Sequence, residues 1–241
     1  MVFDGVMPDI TATTTVEEAL TGYLATPSGE GPWPGVIILP EAFGLTGDIR
    51  RIADRFAEAN YVAFAPALYS MRCVRRAFRE IRSPTAGPVS ARIEASRAWL
   101  ARREECTGRV GIIGFCLGGS FALLAAPRYD FAAASVNYGQ VPPNAGELLR
   151  GSCPIVASYG GRDRPLRGHA RRLREALESL QIPHDVKEYP NAGHSFLNGQ
   201  KLPPQALVVI HRIGFGYEPE AAADAWRRIF AFFDKHVRAG T

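Results

Sequence analysis

Residues 114 to 119 read Gly-Phe-Cys-Leu-Gly-Gly and directly follow the apolar run Arg109-Val110-Gly111-Ile112-Ile113. The pattern predicts a strand, a sharp turn with Cys116 at its apex, and a helix that starts near Leu117. Glycines flank the cysteine because such an apex is strained. The helix must also pass close to the strand, which leaves no room for a Cβ at Gly114 or Gly118. A thiol held there stands over a helix N-terminus, whose partial positive charge favours the thiolate, the nucleophilic form of cysteine. The chemistry implied is attack on a carbonyl carbon. Alone, however, the pentapeptide also fits any ordinary strand-to-helix turn.

Two downstream residues make the chemical reading specific. Pro154 to Tyr159 reads as a buried strand that breaks at Gly160-Gly161-Arg162-Asp163-Arg164-Pro165, which puts Asp163 in the loop at its carboxyl end. A helical stretch follows, with Ala170, Leu173, Leu177 and Leu180 on one face, and then a strand from Asp185 to Tyr189. Past that strand stands Pro190-Asn191-Ala192-Gly193-His194-Ser195-Phe196. Cys116, Asp163 and His194 therefore come in the order nucleophile, acid, histidine, the order found in α/β-hydrolases. Asp163 could alternatively be a turn aspartate bonded to its own backbone. The remaining histidines have blander readings. His169 opens a helix, His184 follows a proline at a strand start, and His236 lies in the last turn of the C-terminal helix, where a cation suits the dipole. His211 lies in a loop near the expected mouth.

Elements that must position this trio alternate along the chain as strand and helix, the pattern of a mainly parallel sheet covered on both faces. Thr13 to Ala25 reads as an opening strand or hairpin, Val36 to Leu39 as a buried strand, and Val62 to Ala65 as another, ended by Pro66. Between them Gly47 opens a helix with Ile49, Ile52, Ala53 and Phe56 on its apolar face. An arginine-rich excursion runs from Tyr69 to Ser83, and a helix carrying Ile93, Ala95, Trp99 and Leu100 follows. Phe131 to Tyr138 reads as the strand after the elbow helix. In the C-terminal helix Ala222, Ala225, Trp226, Ile229, Phe230 and Phe233 share one face, which is a core stripe. The whole chain, 1–241, is read as one α/β-hydrolase domain.

Composition narrows the class. A chain of 241 residues that is 46% hydrophobic can bury a large core, and no apolar run reaches membrane-spanning length. Residues 1–5 show no basic or hydrophobic leader, so a cytoplasmic location is expected. The four cysteines are too few for a stapled scaffold, and no C-x-x-C pair suggests metal. No cofactor is implied. The net charge of +4 accompanies no recognition motif, which argues against nucleic acid as a partner. A monomer or small homo-oligomer is expected.

The chain resembles the dienelactone hydrolase family, cysteine-nucleophile α/β-hydrolases that open unsaturated lactones. The likeness rests on Leu39-Pro40-Glu41-Ala42-Phe43-Gly44-Leu45, Ala65-Pro66-Ala67-Leu68-Tyr69, Gly114 to Gly119, and Ala192-Gly193-His194-Ser195-Phe196. Gly161-Arg162-Asp163 is a weaker fifth match, and Ala67 stands where the family commonly has aspartate. In this fold the loop after the third strand and the residue after the nucleophile each supply an oxyanion-hole amide, here Ala42 and Leu117. Each such donor is worth about 3–4 kcal/mol at the transition state. The resemblance further implies that Glu41 takes the Cys116 proton once substrate arrives. It also implies a carboxylate clamp, one arginine of which is replaced by Asn198. A second clamp arginine would come from the excursion holding Arg72, Arg75, Arg76, Arg79 and Arg82. No residue-by-residue match is possible there, and a solvated face is the favoured reading. Arg72, Arg76, Asn198 and Tyr138 are the substrate-binding candidates.

The expected activity is hydrolysis of a small ester or lactone through a thiol acyl-enzyme. The alternatives are a thioesterase or general carboxylesterase, or a ligand-binding member in which Cys116 is a redox-sensitive thiol without turnover.

Overall fold

The computed structural model describes residues 9–13, 19–69, 74–82, 87–199 and 216–238. Eight strands form one sheet in the order β1-β2-β4-β3-β5-β6-β7-β8. These are β1 (Asp9–Thr13), β2 (Ala19–Ala25), β3 (Trp33–Leu39), β4 (Val62–Pro66), β5 (Cys106–Phe115), β6 (Ala134–Asn137), β7 (Ile155–Gly160) and β8 (His184–Tyr189). The first two are antiparallel to their neighbours, and every pair from β4 across to β8 is parallel. Parallel strands need crossovers, and the crossover helices bury both faces. Accordingly Val36, Ile37, Ile38, Ile112, Ile113 and Val136 have no exposed surface.

Alternation along β5 sorts the covering helices. Gly111 faces Phe233 of α7 (Pro219–Phe233), and Phe115, on the same face, packs against Trp226 of that helix. Helix α1 (Gly47–Glu58) joins α7 there through Phe56, whose ring lies 5.1 Å from that of Phe230. Gly114 faces the opposite way, toward α4 (Leu117–Ala125), on the side where α3 (Pro88–Ala101) lays Leu100 over Gly35. The predicted apolar face of α1 is buried as expected, and Thr46 caps that helix by accepting from the Ile49 N–H.

Two expectations need correction. The strand read over Phe131 to Tyr138 is confined to Ala134–Asn137. Its start is held back by a turn bond from the Phe131 N–H to the Tyr129 carbonyl, and Tyr138 ends it with φ of 40°. His236, taken as a cation at a helix end, is pushed toward its neutral form by burial and by neighbouring Lys235. The arginine-rich excursion contains a short helix, α2 (Val74–Glu80). Glu80 is buried, and its carboxylate accepts from the N–H groups of Gly87, Val89 and Ser90. Gly87 offers no side chain to cap α3, so Glu80 does so from a distance, an anion at a helix N-terminus.

The registers Leu39↔Gly114, Phe115↔Asn137, Asn137↔Ser158 and Gly160↔Tyr189 bring the carboxyl ends of β3, β5, β6, β7 and β8 to one rim. The loops that carry Glu41, Cys116, Tyr138, Asp163 and His194 leave the sheet there.

Candidate active site

Cys116 has φ of 54° and ψ of −114°, a conformation that L-residues rarely adopt, and sits between the last residue of β5 and the first of α4. Strain of this kind, of order 1–3 kcal/mol, persists where surroundings over-determine it, and it marks functional positions. The surroundings here are tight. A Cβ on Gly114 would fall 2.1 Å from the Gly118 carbonyl oxygen, and one on Gly118 would fall 2.4 Å from the carbonyl oxygen of Leu39. The Cys116 N–H is fixed by the Asn137 carbonyl at 3.0 Å. Both glycines are thus required by close backbone approach, as the sequence implied.

That approach also explains how the β3 loop reaches the elbow. The Pro40 carbonyl lies 2.5 Å from where a Gly118 Cβ would be, so Glu41 and Ala42 begin directly over the α4 N-terminus. The buried hydroxyl of Tyr69 donates to the same Pro40 carbonyl and pins the loop. Neither the Ala42 N–H nor the Leu117 N–H is engaged by another group among the described residues. Two free donors at the elbow are what an oxyanion requires.

His194 Nδ1 lies 2.6 Å from Asp163 Oδ2. Asp163 is 2% exposed, and its Oδ1 has no hydrogen-bond partner among the described residues, so its carboxylate is directed at the imidazole. Burial alone would lower the His194 pKa. Hydrogen bonds to Asp163 and Cys116, with the Asp163 charge, overcome it and carry the value up to about 10. The ring is further held by Tyr138, whose ring centroid is 5.1 Å away.

Glu41 is buried rather than solvated, at 5% exposure, and its Oε1 accepts from the Ser195 hydroxyl at 2.5 Å. Sequence reasoning did not single out Ser195. Its only signal was its place beside His194 in the Ala192 to Phe196 motif, and its φ of 60° turns the side chain across to the β3 loop. Tyr138 and Asn198 are also brought in. Both are buried, and the Tyr138 hydroxyl donates to Asn198 Oδ1. Burial, then the negative charge at Glu41, holds the Tyr138 hydroxyl protonated well above the usual tyrosine range, so it stays a donor. Arg76 is exposed on α2 and hydrogen-bonds none of these residues, while Arg72 and His211 lie outside the described residues. Arg75, Arg79 and Arg82 are exposed as well, in line with a solvated face.

The sequence profile of the dienelactone hydrolase family matches residues 20–237. The chain belongs to the dienelactone hydrolase family. It is a hydrolase of the α/β class. A protein of Synechocystis sp., provisionally named a carboxymethylenebutenolidase, is 28% identical over 91% of this chain and 93% of its own length. The carboxymethylenebutenolidase of Rhodococcus opacus is 25% identical over 91% of this chain and 88% of its own. A crystal structure from Klebsiella pneumoniae, provisionally named a dienelactone hydrolase, superposes with a TM-score of 0.72 at 26% identity and covers 94% of this chain and 98% of that one. Among the described residues no helix is long and apolar enough to cross a membrane, and no cluster of three or more His, Cys, Asp or Glu could hold a metal ion.

Proposed function

We propose that this protein hydrolyses small carboxylic esters or lactones through a covalent thioester on Cys116, with His194 and Asp163 completing a triad. The observation that carries the reading is a strained cysteine at a strand-to-helix apex, with a histidine bonded to both that cysteine and a buried aspartate. The substrate carbonyl oxygen lies against the N–H groups of Ala42 and Leu117, which stabilise the charge that develops there. Cys116 sulfur forms a bond to the carbonyl carbon as the C–O bond to the leaving oxygen breaks. His194 carries a proton below about pH 10 and delivers it to that oxygen, which in a lactone stays tethered. Glu41 is the remaining group in the site able to take the thiol proton as substrate arrives, the role the family resemblance implies. Water then attacks the thioester, passing its proton to the now neutral His194. The thiolate leaves and recovers its own proton from Glu41, so the cycle closes.

The Ser195–Glu41 bond supports a positioned carboxylate. Glu41→Gln is expected to preserve the fold and lower kcat about 10–100-fold, within the range for loss of one acid–base group. Ser195→Ala, which removes one donor to the carboxylate and keeps the carboxylate itself, is expected to cost less than Glu41→Gln. Pre-steady-state acylation with an activated aryl ester, alongside thermal melts, reads both. Equal and small effects of the two changes would remove Glu41 from the proton path.

Asn198 supports a substrate with little need for a free carboxylate. It cannot neutralise an anion or grip it bidentately, and its Oδ1 is already taken by Tyr138. Matched neutral and carboxylate-bearing esters are therefore expected to differ by less than about tenfold in kcat/KM, short of what one charge-assisted pair supplies. A strong anionic preference, lost on changing Arg72, Arg75, Arg76, Arg79 or Arg82 to alanine, would reinstate the clamp. Thioesters in the same panel separate a thioesterase from an esterase. A chain that is alkylated at Cys116 yet turns over no ester would favour the redox-thiol reading.

A further inference from the structure

On the flank of α4, away from the proposed catalytic residues, lies a cleft of about 530 Å³. That is within the size range of small-molecule sites, about 300–1,000 Å³. Its walls come from the end of α2, from α4, from the loop after β6 with α5 (Ala145–Leu148), and from the start of α6 (His169–Ser179). Neither Cys116, Glu41 nor His194 lines it. Ser120 does, and its hydroxyl both donates to the Cys116 carbonyl at 3.3 Å and accepts from the Gln140 N–H at 2.9 Å. The cleft therefore starts one helical turn beyond the elbow.

Its chemistry is one-sided. Leu124, Val141 and Leu148 supply an apolar wall, while Arg82 and Arg172 supply two positive charges. No acidic side chain is among the lining residues, and neither guanidinium is paired with a carboxylate among the described residues. Arg172 is oriented by a bond to the Val141 carbonyl at 2.9 Å, which uses one of its five donors. His169 accepts from the Val141 N–H at 2.9 Å through Nδ1, so its own proton sits on Nε2 and adds a neutral donor. Two unpaired guanidinium forks beside an apolar wall match a ligand that has an apolar body and a carboxylate end.

We propose that this cleft is a second binding site, distinct from the catalytic centre, for an aryl- or alkyl-carboxylic acid anion. An acid of this class is also what ester hydrolysis releases, yet the site stands on its own lining and not on turnover.

The test is calorimetric titration of the intact protein with 4-phenylbutyrate and with its neutral amide. The acid is expected to bind at least tenfold more tightly than the amide. Arg82→Gln and Arg172→Gln are each expected to weaken it about tenfold, the scale of one charge-assisted pair. Arg82 is exposed and its side chain makes no hydrogen bond among the described residues, so Arg82→Gln keeps the test valid if Arg172→Gln disturbs the fold. Prior alkylation of Cys116 with iodoacetamide is expected to leave binding unchanged. Binding that survives both arginine changes but is lost on alkylation would place the acid in the catalytic pocket and overturn the proposal, as would no binding at millimolar acid. Ester turnover is measured separately, so loss of the hydrolase reading would leave this result standing.

Discussion

Cys116→Ala should lower kcat/KM for an activated aryl ester by about 10⁴-fold or more, the scale on which loss of a triad nucleophile falls. The change removes only a sulfur at a partly exposed site, so the fold should hold. Alanine does still have to adopt the φ of 54°, so some backbone strain remains. Selectivity of alkylation is the companion measurement. Cys106 is buried with its thiol pKa pushed up by burial, and burial carries Cys153 up to about 12. Neither is a ready nucleophile at neutral pH, because the thiolate is the reactive form. Iodoacetamide mass mapping should thus modify Cys116 well before those two. A Cys116→Ala variant with near-normal turnover would remove the covalent mechanism altogether.

The parts of this site that sequence made legible are those fixed by local backbone geometry. Gly114 and Gly118 are visible because no other residue fits where backbone passes within bonding range of a would-be Cβ. Asp163 and His194 are visible because each follows a short strand, the buried β7 and the edge strand β8, and parallel strands deliver their ends to one rim. The apolar stripes of α1 and α7 follow from helical period alone, and their residues are buried except Phe230, which is partly buried. What was not legible depends on contacts between distant segments. Ser195 reaches Glu41 across 154 positions, and Tyr138 reaches Asn198 across 60. Glu80 caps a helix that begins eight residues later, a bond that neither segment signals by itself. The shortened β6 has the same origin. Its residues have the composition of a longer strand, but a turn at one end and a positive φ at the other limit it, and composition encodes neither.

Asp163→Asn should reduce kcat by about 10³–10⁴-fold while leaving the fold in place. The asparagine amide can present a donor where Nδ1–H now meets a carboxylate, which forces the other tautomer and withdraws the proton from the side of the ring that faces Cys116. It also removes the anion that helps to hold His194 protonated. Loss of that anion lets burial, which lowers the histidine pKa, count for more. The consequence for stability has a definite sign. A histidine raised from 6.5 to about 10 on folding adds stability that is fully present below pH 6.5 and is lost as pH rises through about 10. Wild-type melting temperature should therefore decline across that window, and Asp163→Asn should flatten the decline. Following the His194 ring by NMR over the same range separates the two effects. In the wild type the imidazolium signal should persist to high pH, and in the variant it should titrate earlier. An unchanged titration in Asp163→Asn would mean that the 2.6 Å contact does not set the charge of the ring, and the acid would lose its place in the triad.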